Sequence, residues 1–538
     1  MPAKAITPIP LSGMGSSGLN TQAQDSTLGP EWLTQADGMV FDLQGRIASR
    51  KGIKMVSKAI ASPVKSIAGY IKSNRTREYY AGAGSAIYKI DTSTSPYSLT
   101  AQSFSGSAQT ISDANWTWVN FNDELWGIQT GHKVINYDGT NWYDIDDLGA
   151  YAAPAGVTTF DPSCGLGEFG RMWYGGITEA LGVVFYSDNL IGEKLTGGAA
   201  GALDLKTVWG NDEVVGLAAI MDKLVIFGKQ NIAIYSGASN PASMALEEVI
   251  KGTGLAGKDN IAYVGTDILF LSYEGLMSLG RLQQTDGKAP IQDLSITVRN
   301  DLATILSSAT VANIKTAYYP EDGLLVIFMP DEKKCYVFDV KVQTQSPRVT
   351  TWPFTTAAPL CGLGTIDGNL FIGLSTGVAE YTGYIDVTIT SDGSGGWTST
   401  DSNYSYVFQT SWLDLNSPTF AKIIKSGLFA ITGGRGSSST ISVYKDFELG
   451  SPYSKTISLI SGVTISLYTQ GGDGAALAAG TRSLYDTAKY GAAAGPKDYK
   501  VSLGRTGKVI KLKMDTTVEG HYSSLTAATL LTKQGKIR

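Results

Sequence analysis

The sequence is poor in histidine, in cysteine and in charge. Its 538 residues include two histidines and three cysteines, and 17% are charged, below the roughly 25% usual in globular proteins. His132 and His521 are too few for histidine-based catalysis or a histidine-rich metal site, and His132 lies in a hairpin turn where we expect it to be exposed. Cys164, Cys335 and Cys361 are too scattered for a disulfide framework or a zinc site, so we expect three buried thiols.

Sequence signals for membranes, cofactors and catalysis are also missing. No run of about 18 apolar residues occurs, and the first residues lack the apolar core of a secretory signal, so we expect synthesis in the cytoplasm and no membrane-spanning segment. The sequence contains no Walker loop, no GxSxG, no HExxH and no GxGxxG between a strand and a helix. We therefore expect no enzyme, no cofactor and no metal. The net charge of −5 excludes a globally basic nucleic-acid binder.

What the chain does contain is a repeated hairpin. Residues 122–145, NDELWGIQTGHKVINYDGTNWYDI, read as three short strands separated by Thr-Gly-His and Asp-Gly turns. A hairpin of this size is unstable alone in water, so the unit must repeat or pack on something else.

Similar hairpins recur along the chain, each an apolar strand, a polar or glycine turn and a second strand that usually ends in Tyr or Phe. Equivalent positions lie 44 to 57 residues apart, at Tyr79, Leu125, Met172, Leu224, Ile268, Leu325 and Leu370. That interval is the length of a four-stranded propeller blade. The sequence thus predicts an all-β fold with a six- or seven-bladed β-propeller over residues 59–385.

The flanking regions differ from the repeats. Residues 386–538 contain alternating apolar and polar stretches that predict a C-terminal antiparallel β-sandwich, and the Gly/Ala-rich residues 471–496 predict a long loop or a mobile flap. Residues 1–58 predict an N-terminal extended arm followed by strands for assembly contacts. The first 30 residues are rich in Pro, Gly, Ser and Thr, so we expect them to be disordered or to lie on a partner.

Charge is most asymmetric near the start of the chain. Residues 43–77 include nine basic residues and no acidic one. One interpretation is a solvated face whose acidic partners lie elsewhere in the same fold. The other is contact with an acidic surface, for which we favour a neighbouring subunit over DNA. The candidates for subunit or partner contact are Trp32, Arg46, Arg50 and Lys51.

A carbohydrate-binding or carbohydrate-cleaving propeller used in host recognition is the alternative function. Propellers can carry paired carboxylates, and Asp188, Asp212, Asp267 and Asp322 lie near strand ends, although aspartate is also the ordinary turn residue there. Sugar stacking would need exposed aromatic rings, for which the candidates are Trp116, Trp118 and Trp142. Most aromatic residues recur at equivalent hairpin positions, which instead favours core packing.

The layout of the whole chain resembles the tail nozzle proteins of short-tailed bacteriophages, also called tail tubular protein B and related to tail hub proteins. The resemblance is most specific in residues 18–52, GLNTQAQDSTLGPEWLTQADGMVFDLQGRIASRKG, and in residues 412–425, WLDLNSPTFAKIIK. Propeller-like hairpins lie between these two segments.

The resemblance implies a non-enzymatic structural protein of the virion tail, assembled in the host cytoplasm. It implies a homo-hexameric ring below the tail adaptor protein, with fibres or spikes attached around it. Such a ring lines and closes the DNA-ejection channel and lets double-stranded DNA pass without sequence specificity. The residues of the channel and its gate do not transfer from the resemblance; residues 471–496 are a hypothesis for a channel-facing element.

Overall fold

The computed structural model describes residues 6–106, 109–280, 292–341, 346–355, 358–365, 367–392, 396–415, 419–459 and 496–534. Strands dominate these ranges. The helices are short, α1 (Lys206–Trp209) and α2 (Arg299–Ser308), with 3₁₀ turns at Ile145–Asp147, Pro241–Ser243 and Val311–Asn313. Across the described ranges, no helix has the length and apolar character needed to cross a bilayer.

Six short strands precede the repeats: β1 (Thr7–Pro10), β2 (Gly18–Leu19), β3 (Trp32–Asp37), β4 (Met39–Phe41), β5 (Ile47–Ser49) and β6 (Ile53–Met55).

Six blades of the propeller follow one another in the chain with four antiparallel strands each. Five of them are separate four-stranded sheets, and the last strand of the sixth pairs with β3, which joins that blade to a larger sheet. In chain order, blade 1 has β7 (Val64–Ile71), β8 (Arg77–Ala83), β9 (Ala86–Asp91) and β10 (Ser98–Ala101); blade 2 has β11 (Thr117–Phe121), β12 (Glu124–Ile128), β13 (Ile135–Tyr137) and β14 (Trp142–Asp144); blade 3 has β15 (Cys164–Glu168), β16 (Arg171–Gly175), β17 (Val183–Tyr186) and β18 (Gly201–Asp204); blade 4 has β19 (Val214–Ile220), β20 (Lys223–Gly228), β21 (Asn231–Ser236) and β22 (Ala245–Lys251); blade 5 has β23 (Ile261–Val264), β24 (Asp267–Ser272), β25 (Gly275–Ser278) and β26 (Gln292–Asp293); blade 6 has β27 (Lys315–Tyr319), β28 (Leu324–Met329), β29 (Lys334–Asp339) and β30 (Arg348–Pro353).

Blade 7 is completed from the other end of the chain. It contains β31 (Cys361–Gly364), β32 (Leu370–Leu374) and β33 (Gly377–Tyr381), and its fourth strand is β6, with Tyr381 paired to Ile53. The predicted propeller is therefore confirmed, and it has seven blades. The N-terminal segment closes the ring because it supplies the strand that the last repeat lacks.

The propeller core lies between blades rather than within them. Separate clusters of buried side chains fill the boundaries of neighbouring blades, for example Trp116, Trp142 and Tyr80 between blades 1 and 2. A middle strand such as β28, LLVIFM, is buried at every position because each blade is covered on both faces. This burial explains why the middle strands are continuous apolar runs rather than alternating ones.

The rest of the chain forms the remaining strands: β34 (Asp386–Ser391), β35 (Trp397–Ser402), β36 (Tyr404–Thr410), β37 (Lys422–Gly433), β38 (Ser438–Lys445), β39 (Glu448–Ser458), β40 (Lys497–Gly507), β41 (Ile510–Val518) and β42 (Ser523–Gln534). One sheet has the order β4-β5-β42-β37-β40, with β1 added beside β42, and the other contains β3-β36-β41-β38-β39. Their inner faces meet around Phe408, Phe429 and Met514. This is the predicted β-sandwich.

The first residues pack on their own chain rather than extending away from it. Strand β1 pairs with β42, and Leu11 and Leu19 are buried. The expectation of disorder is wrong for the described residues from Ile6 onward, and contact of these residues with a partner stays a prediction. Pro8 and Pro10 do not prevent pairing, because β1 lies at a sheet edge, where proline is tolerated.

The domain limits drawn from the sequence also differ from the folded units. Strands β3, β4 and β5 belong to the sandwich, β6 belongs to blade 7, and the hairpin of β34 and β35 continues the sheet of blade 7 beyond β6. Residues 1–58 are thus not a separate unit. The predicted loop at residues 471–496 lies outside the described residues, apart from Pro496.

Candidate functional site

The innermost strands of the seven blades surround a central cavity of about 540 Å³. Its lining comes from every blade, through β7, β11, β15, β19, β23, β27 and β31 and the residues just before them. The volume is in the range of small-molecule sites. The cavity also contains a group of charged side chains at one end of these strands.

Three charged residues, which we call the axial ion cluster, lie there: Lys258, Asp259 and Lys315. The ammonium groups of both lysines lie 3.2 Å from Oδ2 of Asp259. Thr117 donates a hydrogen bond of 2.7 Å to Oδ1 of Asp259, and Lys258 donates to Thr117 Oγ1 at 2.6 Å and to the carbonyl of Asn115 at 3.2 Å. Only 9–13% of each charged side chain is exposed.

The cluster crosses the propeller axis. Thr117 begins blade 2, Lys258 and Asp259 precede blade 5, and Lys315 begins blade 6. Blades 2 and 5 are as far apart as two blades can be in a ring of seven, so a hydrogen bond between them must span the channel. The propeller axis is therefore obstructed by the axial ion cluster at this end.

The cluster keeps its carboxylate ionised. Burial opposes ionisation of Asp259, but Lys258, Lys315 and the Thr117 hydroxyl outweigh it and lower the pKa of Asp259 to about 2. Burial lowers the pKa of Lys258, and Asp259 offsets that effect in part. With both lysines protonated, the cluster carries one net positive charge.

Two thiols share this cavity. Cys164 and Cys361 line it, and burial raises the pKa of Cys164 to about 12 and that of Cys361 to about 11. Both thiols are therefore protonated at neutral pH and are poor nucleophiles. The stretch Cys-Gly-Leu-Gly at residues 164–167 lies within β15, which is the innermost strand of blade 3.

The residues predicted for partner contact lie elsewhere, and two of them join the domains. Arg50 is buried and donates two parallel hydrogen bonds to the carboxylate of Asp386, at 2.9 and 2.7 Å. It also donates to the carbonyl of Lys51 at 2.8 Å. Its guanidinium lies 4.0 Å from the ring centroid of Tyr404. Asp386 further accepts a hydrogen bond from the amide of Ile53 at 2.8 Å, which fixes β6 beside β34.

Lys51 extends this connection to blade 6. Its ammonium lies 2.9 Å from Asp322 and donates to the hydroxyl of Tyr319 at 3.0 Å. We call Arg50, Lys51, Asp322 and Asp386 the junction cluster, because it holds the N-terminal segment against two blades and the start of β34. The backbone runs very close here, since a side chain at Gly52 would collide with the carbonyl of Ile385.

Trp32 and Arg46 are placed differently. Trp32 begins β3, pairs with Gly18 and is half-buried. Arg46 pairs with Asp42 at 2.7 Å and keeps 25% of its side chain exposed. Contact of any of the four candidates with a partner stays a prediction, but Arg50 has almost no surface through which to make one.

Most of the basic residues at positions 43–77 find acidic partners within the chain. Six of the nine form ion pairs, namely Arg46, Arg50, Lys51, Lys65, Lys72 and Arg77. This distribution favours the interpretation in which the basic stretch is balanced by the same fold.

The residues named for the carbohydrate alternative are mostly engaged in structure. Trp116 and Trp142 are 1% exposed, so their rings offer no stacking surface, whereas Trp118 is half-buried at the central cavity. His132, expected to be exposed, is 9% exposed because its ring packs 5.7 Å from that of Trp116 and hydrogen-bonds with Ser112.

The four aspartates at strand ends do not converge on one site. Three of them accept hydrogen bonds from amides in the turns of their own blades: Asp188 from Asn189 and Ala199, Asp212 from Lys229 and Gln230, and Asp267 from Ile268 and Gly280. Asp322 pairs with Lys51. Among the described residues, no group of three or more His, Cys, Asp or Glu side chains is placed to hold a metal ion.

No protein-family model matches the sequence, and no curated protein matches it. Solved structures to which it is similar include YCF48 bound to a D1 peptide, with a TM-score of 0.38 and 7% identity over 62% of this chain and 98% of that one. PorZ, a surface component of the type-IX secretion system of Porphyromonas gingivalis, has a TM-score of 0.33 and 13% identity over 68% and 42%. The extracellular domain of a hybrid two-component system from B. thetaiotaomicron has a TM-score of 0.26 and 12% identity over 66% and 44%.

The chain spans less than half the length of the last two proteins. At these identities and TM-scores, the similarities carry no argument about function.

Proposed function

We propose that this protein is a structural subunit of the nozzle ring of a short phage tail, a homo-hexamer that lines and closes the DNA-ejection channel below the adaptor protein. The observation that supports this proposal is that the two segments on which the sequence resemblance depends lie against each other in the fold. Residues 18–52 and 412–425 are more than 350 residues apart in the chain, yet residues 25–33 of the first lie against residues 410–415 at the start of the second.

Contacts join the first segment to Trp412 and to the two residues directly before it. Strand β3 pairs with β36 directly before the second segment, with Leu33 opposite Thr410. The amide of Trp412 donates to the carbonyl of Asp25 at 3.3 Å, and the hydroxyl of Ser411 donates to the carbonyl of Gly29 at 3.1 Å. A cavity of about 570 Å³ lies between residues 26–30 and residues 412–415.

This region has the features of an assembly surface. Phe447 contacts Trp412 with ring centroids 5.0 Å apart and is itself 60% exposed. An exposed aromatic ring beside a partly apolar cavity is typical of protein interfaces. In the proposed ring, we expect this end of the sandwich to contact a neighbouring subunit or the adaptor protein.

The proposal also requires DNA to pass between subunits rather than through a propeller. The central cavity has the volume of a small-molecule site and is crossed by the axial ion cluster, so it cannot admit a duplex. A ring of subunits would enclose the channel on its symmetry axis. A net charge of −5 and a low charge density are compatible with a channel that must not bind DNA phosphates tightly.

The direct test is the mass and symmetry of the purified full-length chain. Light scattering should give six times the chain mass of 57.0 kDa, and electron-microscopy class averages should show a six-fold ring. Arg46→Glu should weaken assembly if the basic segment contacts a neighbour, whereas Arg299→Glu, also a partly exposed arginine paired with a carboxylate, should not. A monomer at all concentrations, or a ring of another symmetry, would contradict the proposal.

A further inference from the structure

We propose that the central cavity of the propeller is a binding site for a small oxyanion, a phosphate, sulfate or carboxylate group, held at Lys315. The inference is independent of the nozzle proposal, because it depends only on the charges and donors inside the cavity.

The cavity carries an unbalanced positive charge. Lys258 and Lys315 share one carboxylate, so the axial ion cluster has one positive charge that nothing nearby balances. The other acidic residue of the lining is Glu168, which lies four residues beyond Cys164 at the far end of β15. With about 3.3 Å per residue along a strand, Glu168 lies roughly 13 Å from Cys164. The neutral thiols contribute no charge, so an anion near Lys315 would balance the cluster.

The two lysines of the axial ion cluster differ in how many partners they have. Lys258 reaches three oxygen-bearing partners, Thr117, Asn115 and Asp259. Lys315 is 7% exposed, and within the described residues its ammonium reaches only Asp259. An ammonium group has three hydrogens to donate. A buried cation with unused donors beside a cavity is costly unless another acceptor is present.

The charge of the cluster also selects the kind of ligand. A ligand rich in acceptor oxygens complements both the positive charge and the unused donors of Lys315, whereas a metal cation would be repelled by the excess positive charge.

The cavity has room for such a ligand. A volume of about 540 Å³ exceeds that of one inorganic ion and is within the usual range for small organic ligands. Inorganic phosphate and acetate are therefore suitable minimal probes. They represent the two chemical classes, phosphate-like and carboxylate-like, that a natural ligand would present.

The test is calorimetric titration of the folded full-length chain with sodium phosphate and with sodium acetate, at an ionic strength held constant with chloride. We expect saturable one-site binding of at least one anion. Lys315→Met should weaken it by roughly tenfold or more, as expected for loss of a charge-assisted hydrogen bond, while Lys315→Arg should bind within a few-fold of the wild type. Lys223→Met is the matched control, because it removes a carboxylate-paired lysine of blade 4 that does not line the cavity.

The outcome is decisive in either direction. No saturable binding of either anion, or equal affinity for wild type and Lys315→Met, would overturn the inference. If Lys315→Met fails to fold, Lys315→Gln takes its place, since it removes the ammonium charge and keeps a polar side chain. A few-fold weaker affinity would then support the site, and an unchanged affinity would overturn it.

Discussion

The junction cluster and the axial ion cluster both pair basic residues with carboxylates, but their charges are balanced differently. In the junction cluster each cation has its own carboxylate, Arg50 with Asp386 and Lys51 with Asp322. In the axial ion cluster two lysines share Asp259. The junction cluster is surrounded by packed rings, whereas the axial ion cluster borders a cavity.

This difference indicates two different roles. The guanidinium of Arg50 is planar and presents its donors in a fixed fork, which matches a carboxylate at a permanent joint. Its partners leave little for another molecule to contact. Lys315, by contrast, retains both charge and donors beside open space. The junction cluster is therefore a structural connection, and the axial ion cluster is the better candidate for ligand binding.

Removing the cation of the junction cluster should have the largest effect on stability. Arg50→Met removes a buried guanidinium and its two hydrogen bonds to Asp386, whose side chain is 26% exposed, which we expect to cost about 3 kcal/mol of unfolding free energy. Urea denaturation of the full-length chain measures it. Arg46→Met is the matched control, since the side chain of Arg46 is 25% exposed against 4% for Arg50, and it should cost about 0–1 kcal/mol. Equal losses of unfolding free energy in the two variants would contradict the structural role of the junction cluster, because Arg50 would then contribute no more than an arginine of a surface ion pair.

Removing the charge of Asp259 should have a smaller effect that depends on pH. The pKa of Asp259 lies near 2 in the folded chain, against an ordinary value of 3.8, so its ionisation favours folding by about 2 kcal/mol. That stabilisation is complete above the ordinary value and is lost as the pH falls towards 2.

Asp259→Asn should therefore destabilise the protein by about 2 kcal/mol at pH 7, and the deficit should shrink between about pH 4 and pH 2. Denaturation of both proteins across that range measures the difference. A deficit that does not change with pH would show that the loss comes from packing rather than from the shared charge.

The propeller was predictable because its unit is local. Each blade contains a hairpin whose two strands are close in the sequence, and the repeat of apolar strand, turn and aromatic end is visible at Leu125, Leu224 and Leu370. The number of blades was not predictable, because blade 7 depends on β6. Three residues are too few to identify a strand, and its partner β33 lies more than 320 residues away.

The axial ion cluster could not be predicted from the sequence, for a related reason. Lys258 and Asp259 stand in a glycine-rich connection between blades, GTGLAGKDN, where charged residues are normally exposed turn residues. Only the closure of the ring brings them to Lys315 and Thr117. Similarly, His132 was expected on the surface because its turn is local, but its ring is covered by Trp116. Long-range contacts, rather than local pattern, decide burial at these positions.

The most direct measurement of the central proposal is immunogold electron microscopy of short-tailed phage particles, with an antibody raised against the chain. A nozzle subunit predicts label on the tail axis at its distal end, in particles that retain their DNA. Label on peripheral fibres or on the capsid, or no label on intact particles, would contradict a nozzle role.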